Sequence, residues 1–115
     1  MSHDPKVLQT MLEAAAPPDL ELRFKAMFGG ILGYADEKPF ASLSDVGLAF
    51  KLETLADHQA LMDLPGAKAL QYDASQPLSK TYVVVPEGML DDKDVLRTWA
   101  VRTVAGLKAK KAKKT

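Results

Sequence analysis

Residues 25–34 read Lys-Ala-Met-Phe-Gly-Gly-Ile-Leu-Gly-Tyr, an apolar run that three glycines interrupt. The apolar run predicts a strand, whereas glycine weakens a strand because it has no side chain to pack. Glycines this closely spaced indicate a β-bulge or a close approach of another backbone segment. We therefore expect a strand over residues 26–35 with an irregularity between Gly29 and Gly33.

The flanking sequence continues the strand pattern in both directions. Leu20, Leu22, Phe24 and Ala26 alternate with charged residues, which predicts an extended, half-buried segment leading into the glycine-bearing strand. Asp36-Glu37-Lys38-Pro39 has the composition of a hairpin turn. Further strands are expected at about residues 40–44, 48–52, 67–72 and 81–85.

Three segments carry helix signals. Asp4 followed by Pro5 predicts a first helix that ends before Pro17-Pro18. Thr54 predicts the start of a second helix, whose inner face is Leu55, His58, Leu61 and Met62. Asp91 is the expected N-cap of a third helix, with the buried stripe Leu96, Trp99, Ala100, Thr103 and Leu107.

These elements predict the fold class. The hairpins imply antiparallel pairing, so we expect an α+β fold of two layers, in which helices pack on an antiparallel five-stranded sheet. The expected order is α-β-β-β-α-β-β-α.

Length and charge divide the chain into a domain and a tail. At 115 residues the chain is one domain. Residues 1–107 hold ten basic and fifteen acidic side chains, whereas residues 108–115 hold five lysines and no acid. We expect a folded domain over 1–107 and a disordered lysine-rich tail over 108–115. With no cysteine, signal sequence or membrane span, the chain is expected to be cytoplasmic.

Several short motifs together resemble one family. They are Met27-Phe28-Gly29-Gly30, Gly33-Tyr34, Pro39-Phe40-Ala41, Thr81-Tyr82 with Val85-Pro86, Leu90-Asp91-Asp92, and Leu96 with Trp99-Ala100. In order and spacing they resemble the TfoX N-terminal domain family over roughly residues 5–107. The resemblance implies a bacterial, non-enzymatic domain related to competence regulation, without a cofactor. The chain resembles a single-domain member that lacks the C-terminal domain of longer relatives.

The lysine tail is the first candidate site. Lys108, Lys110, Lys111, Lys113 and Lys114 could contact the phosphates of DNA or RNA without reading bases. The alternative is a solvated tail that only aids solubility. The sequence leaves both interpretations open.

The glycine-bearing stretch is the second candidate. Met27, Phe28, Gly29, Gly30 and Gly33 could line a groove for a small molecule or peptide, because absent side chains expose backbone. A phosphate-binding loop is disfavoured, since a hairpin rather than a helix follows the glycines.

The remaining polar residues favour structural roles. His58 lacks an evident nucleophile partner, and we expect it to be packed and hydrogen-bonded. Asp91, Asp92 and Asp94 are better explained by helix capping than by a metal, and no metal site is expected. Arg23, Lys25 and Lys51 fit the solvent side of a sheet, and the three tyrosines, Tyr34, Tyr72 and Tyr82, fit core or rim positions.

The leading functional hypothesis is a non-enzymatic regulatory or adaptor domain. Its sheet and helix faces would contact a protein partner, and the tail would add weak attraction to nucleic acid. The alternative is a small-molecule or peptide-binding module. Both hypotheses allow a homodimer through an exposed sheet edge or a helix face.

Overall fold

A six-stranded antiparallel sheet forms one layer of the protein and the helices form the other. The computed structural model describes residues 3–27, 30–71, 75 and 77–113, and it describes the side chains of these residues except those of Met27 and residues 108–113. The elements in chain order are α1 (Pro5–Ala15), β1 (Leu22–Met27), β2 (Gly30–Ala35), β3 (Lys38–Ser44), β4 (Gly47–Lys51), α2 (Leu55–Met62), β5 (Lys68–Ala69), β6 (Tyr82–Val84), a 3₁₀ turn (Glu87–Asp91) and α3 (Lys93–Lys113).

The α+β class and the antiparallel sheet are confirmed, but the described residues form six strands rather than the expected five. The expected single strand over 26–35 is the junction of two strands. β1 and β2 pair with each other, and Met27 lies opposite Gly30. The order is therefore α-β-β-β-β-α-β-β-α. The prediction missed this reversal because it assigned the closely spaced glycines to a bulge within one strand, although glycine is also typical of the turn between two paired strands.

The strands lie in the order β1-β2-β3-β4-β6-β5, which makes β1 and β5 the two edges. β1 has six residues, whereas β5 has only two. The helix α1 packs against α3 and, within the sheet, mainly on β2, β3 and β4. The long edge strand β1 therefore lies at the border of the helical layer.

The main core lies between the sheet and the helices. The largest fully buried apolar side chains of the sheet are Phe40, Leu43, Leu48, Phe50 and Val83, and those of the helices are Leu8, Leu12, Leu61 and Leu96. The predicted stripe of α3 is confirmed, with Trp99 only 7% exposed and Thr103 1% exposed. Burial of these apolar side chains supplies most of the stabilising free energy of folding. The opposite face of the sheet carries a smaller cluster of Ala49, Leu70 and Val84.

Side-chain hydrogen bonds cap the N-terminal ends of the helices α1, α2 and α3. The Asp4 carboxylate accepts a hydrogen bond from the backbone N–H of Lys6, and Thr54 Oγ1 accepts one from the N–H of Asp57, so both predicted N-caps are confirmed. The cap of α3 is Asp92 rather than Asp91. Asp92 Oδ1 accepts hydrogen bonds from the N–H groups of Asp94 and Val95, because the preceding 3₁₀ turn incorporates Asp91.

The predicted inner face of α2 is wrong at one residue. Leu55 is expected on that face, but it is 83% exposed. Leu61 is the buried residue of this helix. The eight-residue helix offers only one side to the core, and its first residue lies outside that side.

Candidate functional site

The packing of β2 between β1 and β3 explains two of the glycines. A Cβ atom at Gly30 would lie 2.7 Å from the carbonyl oxygen of Leu43 on the neighbouring strand β3. A Cβ atom at Gly33 would lie 3.2 Å from the ring of Phe24 and 3.3 Å from that of Phe40. The close backbone approach expected from the sequence is therefore confirmed at Gly30, whereas at Gly33 the neighbouring atoms belong to side chains.

An irregularity lies just after the stretch from Gly29 to Gly33 in which it was expected, and its extra residue belongs to the neighbouring strand. Gly33 pairs with Ala41, but the next residue, Tyr34, pairs with Pro39. The register thus shifts by one residue, and Phe40 is the extra residue of β3 at a bulge. The bulge allows Phe40 to join the core on the same side as Ala41.

The predicted groove residues divide into two groups. Gly30 and Gly33 lie in β2, where the protein's own atoms occupy the space next to their Cα atoms. Phe28, Gly29 and the side chain of Met27 lie outside the described residues. The groove at these positions stays a prediction.

A cleft lies beside the hairpin, on the helical side of the sheet. Its floor is formed by Phe24, Ala26 and Ile31, and its rim by Lys6, Gln9 and Thr10 of α1. The volume of the cleft is about 430 Å³. An apolar floor with a polar rim is the arrangement by which proteins bind apolar groups of a ligand or partner.

Sequence reasoning did not find the rim of this cleft. Lys6, Gln9 and Thr10 precede the hairpin by a dozen residues or more, and the helical periodicity of α1 indicates only its buried stripe. The polar face of α1 is visible in the sequence, but its position above the hairpin follows from tertiary packing.

The backbone of β1 is directed alternately towards β2 and towards the edge. The N–H of Asp36 donates a hydrogen bond to the carbonyl oxygen of Glu21, which identifies the odd-numbered residues as those bonded to β2. The backbone groups of Leu22, Phe24 and Ala26 therefore point away from β2, at the edge of the sheet.

His58 does not pair with either neighbouring acid. The Asp57 carboxylate accepts hydrogen bonds from Nη2 and Nε of Arg102, at 2.6 and 3.2 Å. Asp63 accepts one from Gln59 at 2.8 Å. His58 Nε2 is buried and has no hydrogen-bond partner in the part of the chain that the structure describes, so the expected hydrogen bond at this nitrogen is not formed.

Arg102 joins α2 to α3. Its guanidinium carbon lies 4.2 Å from the ring centroid of Trp99, and the same group binds Asp57. A cation over an indole face is attracted by the ring quadrupole, so one side chain stabilises two contacts. This cluster has a structural explanation without a ligand.

The acidic residues near α3 have separate positions. Asp91 belongs to the 3₁₀ turn, Asp92 caps α3, and Asp94 lies in its first turn. Among residues 3–27, 30–71, 75 and 77–113, no three His, Cys, Asp or Glu side chains are grouped so as to hold a metal ion.

Two of the three basic residues predicted on strands form ion pairs. Arg23 Nη1 lies 2.6 Å from Oε1 of Glu37, and Lys51 Nζ lies 3.4 Å from Oε1 of Glu53. Lys25 is exposed. Tyr34 and Tyr82 are half-buried, while Tyr72 lies outside the described residues.

The lysine tail begins within α3, whose backbone is helical through Lys113. The side chains of Lys108, Lys110, Lys111 and Lys113 lie outside the described residues, as does the whole of Lys114. The domain boundary at residue 107 and the contact with nucleic acid stay predictions.

No helix in the described part of the chain is both long enough and apolar enough to cross a bilayer.

Comparison with known proteins gives one family. The family model of the TfoX N-terminal domain matches residues 20–107, from the residue that precedes β1 by two to the end of the buried stripe of α3. Neither the comparison with curated proteins nor that with solved structures finds a similar protein. The match covers most of the 115 residues and includes all six strands, so the chain belongs to the TfoX N-terminal domain family.

Proposed function

We propose that this chain is a non-enzymatic regulatory or adaptor domain of the bacterial cytoplasm, and that it binds a protein partner at the cleft between α1 and the β1–β2 hairpin. Membership of the TfoX N-terminal domain family supports the regulatory role. The observation that carries the choice of surface is the apolar floor of the cleft, Phe24, Ala26 and Ile31, which lies beneath a polar rim.

The shape of the cleft favours a protein side chain as its occupant. Protein interfaces place an apolar group at the centre and polar groups around it. Phe24 and Ile31 offer such a centre, while Thr10 and Gln9 offer hydrogen-bonding groups at the rim. Lys6 adds one positive charge, which favours an acidic residue of the partner next to the inserted apolar one.

A capture experiment tests this surface. Wild-type protein and a Thr10→Trp variant are used to capture proteins from nuclease-treated lysate of the source organism. Tryptophan at the rim fills the cleft, so we expect a partner retained by the wild type to be lost. Val101→Trp is the matched control, because Val101 is 45% exposed on α3 and does not line the cleft. Equal retention by all three proteins would contradict the cleft as the binding surface.

The second part of the proposal is weak attraction of the lysine tail to nucleic acid. Five lysines that neutralise phosphates predict a dependence of log K on log salt with a slope no steeper than about −4.5. A full-length variant with all five tail lysines changed to glutamine should lose the mobility shift that the wild type gives at low salt. Unchanged DNA binding by that variant would remove the tail from the proposal.

The alternative is a module that binds a small molecule or a free peptide in the same cleft. Its volume of about 430 Å³ lies within the usual range of ligand sites. A thermal-shift screen distinguishes the two functions. A saturable stabilisation that Thr10→Trp abolishes and Val101→Trp preserves would favour the alternative.

A further inference from the structure

The edge strand β1 is built to accept another strand. Its outward backbone groups at Leu22, Phe24 and Ala26 have no strand beside them, because β1 is the last strand on its side of the described sheet. Residues 21–27 contain neither proline nor glycine. A long, regular edge of this kind presents a row of donors and acceptors for pairing.

The two faces of β1 differ in character. Leu22 and Phe24 pack against the core on the helical side, whereas Glu21, Arg23 and Lys25 alternate with them and are exposed. Within the described residues, neither Glu21 nor Lys25 has an ion-pair partner. Glu21 and Lys25 lie at equal distances on either side of Arg23. A second copy of the strand that runs in the opposite direction therefore places opposite charges next to each other.

We propose that two copies of this chain associate about a two-fold axis, by antiparallel pairing of their β1 strands centred on Arg23. In this register Glu21 lies opposite Lys25 of the second copy, and Leu22 lies opposite Phe24 of the second copy. Both Leu22 and Phe24 have outward-directed backbone groups, so each of these pairs exchanges N–H···O=C hydrogen bonds.

The charges at the centre of the contact are compensated. Arg23 lies opposite its own symmetry mate, but each guanidinium already binds Glu37 at 2.6 Å. The two Glu21–Lys25 pairs lie on either side of this centre. Opposite charges directly across a ladder stabilise it, whereas like charges destabilise it.

Neighbouring registers fit less well. Pairing centred on Phe24 places Arg23 opposite Lys25 of the second copy, which brings two like charges together. The register centred on Arg23 involves Leu20 only in its two outermost pairs, opposite Ala26 of the second copy. Pairing centred on Leu22 instead takes two of its three hydrogen-bonded pairs from Leu20, whose N–H already donates to the carbonyl oxygen of Pro17. That register also brings Pro17 and Pro18 towards the ladder, where proline cannot donate.

The pairing keeps the apolar residues of both copies on one face. Residues opposite each other in a ladder project to the same side, so Leu22 and Phe24 of both copies lie on the helical side. The two copies form one continuous sheet with both α1 helices on the same side. The two clefts then lie on either side of the axis and open on a common surface.

Charge reversal tests both the dimer and its register. Sedimentation equilibrium is measured from micromolar to submillimolar protein for the wild type, Glu21→Lys and Lys25→Glu. Each single variant turns two attractive pairs per dimer into two repulsive ones, so dimerisation should weaken by at least about tenfold. Lys93→Glu, a charge reversal at an exposed position of α3, is the control and should dimerise like the wild type.

The two variants should also restore one another. In an equimolar mixture, the lysine introduced at position 21 of the first variant faces the glutamate introduced at position 25 of the second. The unchanged Lys25 of the first variant then faces the unchanged Glu21 of the second. We expect the mixture and the double variant Glu21→Lys/Lys25→Glu to recover the dimer. A circular dichroism melt of each variant shows whether the monomers remain folded.

Three results would overturn the proposal. They are a wild-type protein that stays monomeric at all concentrations, single variants that dimerise like Lys93→Glu, and single variants that are monomeric but do not recover when mixed. Each is separate from the proposed function, which the Thr10→Trp capture tests independently.

Discussion

Substitution of Gly30 by alanine should destabilise the protein although the backbone conformation of Gly30 suits alanine. Gly30 is not in the left-handed region, where glycine is favoured, so the cost arises from space alone. The new Cβ would lie 2.7 Å from the carbonyl oxygen of Leu43, and that oxygen belongs to the adjacent strand. The strands β2 and β3 must therefore separate locally.

The magnitude follows from two opposing effects. Overpacking of a close contact costs about 1–3 kcal/mol. Replacing glycine by alanine restricts the unfolded chain and returns about 0.4–1 kcal/mol. The free energy of unfolding should therefore fall by about 1–2 kcal/mol. For 115 residues, an unfolding entropy of about 2.1 cal/mol/K per residue converts this to a melting temperature lower by about 4–8 °C.

Substitutions at two further glycines provide comparisons for Gly30→Ala. At Gly33 the nearest atoms are ring carbons of Phe24 and Phe40 at 3.2 and 3.3 Å, and the half-buried Phe24 ring can move. Gly33→Ala should therefore cost less than Gly30→Ala. Gly88, in the 3₁₀ turn, has no atom within 4 Å of the added Cβ, so Gly88→Ala should leave stability unchanged or raise it slightly.

Urea unfolding followed by circular dichroism measures the series. The expected order of stability is Gly88→Ala, then Gly33→Ala, then Gly30→Ala as the least stable. If Gly30→Ala were as stable as Gly88→Ala, the close approach of Leu43 would not explain the glycine.

Four other substitutions report on three separate parts of the fold. Asp92→Ala removes the N-cap of α3 and should lower the free energy of unfolding by about 1 kcal/mol. Asp91→Ala should change it by less than about 0.5 kcal/mol. The reverse order in urea titrations would show that Asp91 is the cap. Asp57→Asn retains the size of the side chain but removes the charge that binds Arg102. We expect the free energy of unfolding to fall by about 1 kcal/mol, and by less in high salt. A fall that does not depend on salt would indicate lost packing instead. Leu12→Ala opens a cavity at a fully buried position of α1 and should lower the free energy of unfolding by about 2–5 kcal/mol in the same titration. A decrease below about 1 kcal/mol would mean that α1 contributes little to the core.

The parts of the fold that local chemistry dictates were predictable from the sequence. Asp4 and Thr54 are caps because their side-chain oxygens satisfy nearby N–H groups, an interaction confined to a few residues. The stripe of Trp99 and Thr103 follows from helical periodicity. Such signals do not depend on what the element packs against.

The parts that failed depend on choices between similar local structures. Glycine is typical both of a bulge within one strand and of the turn between two paired strands, so the reversal between Met27 and Gly30 was missed. Three aspartates close together each satisfy the capping pattern, and the 3₁₀ turn selects Asp92. Leu55 shows that an apolar residue in a short helix need not face the core.

The candidate site was only partly predictable. The glycines directed attention to the right hairpin, but the cleft lies beside the glycines, where Thr10 of α1 meets Phe24 and Ile31. The charge order from Glu21 to Lys25 is also visible in the sequence. It predicts a pairing register only when the hydrogen bond between Asp36 and Glu21 identifies which backbone groups of β1 face the edge of the sheet.

The inequality of the two sheet edges limits how far strand pairing can extend. Filaments grow when both edges of every molecule can receive a neighbour. Here the edge opposite β1 is β5, which is only two residues long and cannot act as a template for another strand. A pair joined through β1 has used its one extended edge in each molecule, so assembly terminates at two molecules and does not propagate into a fibre.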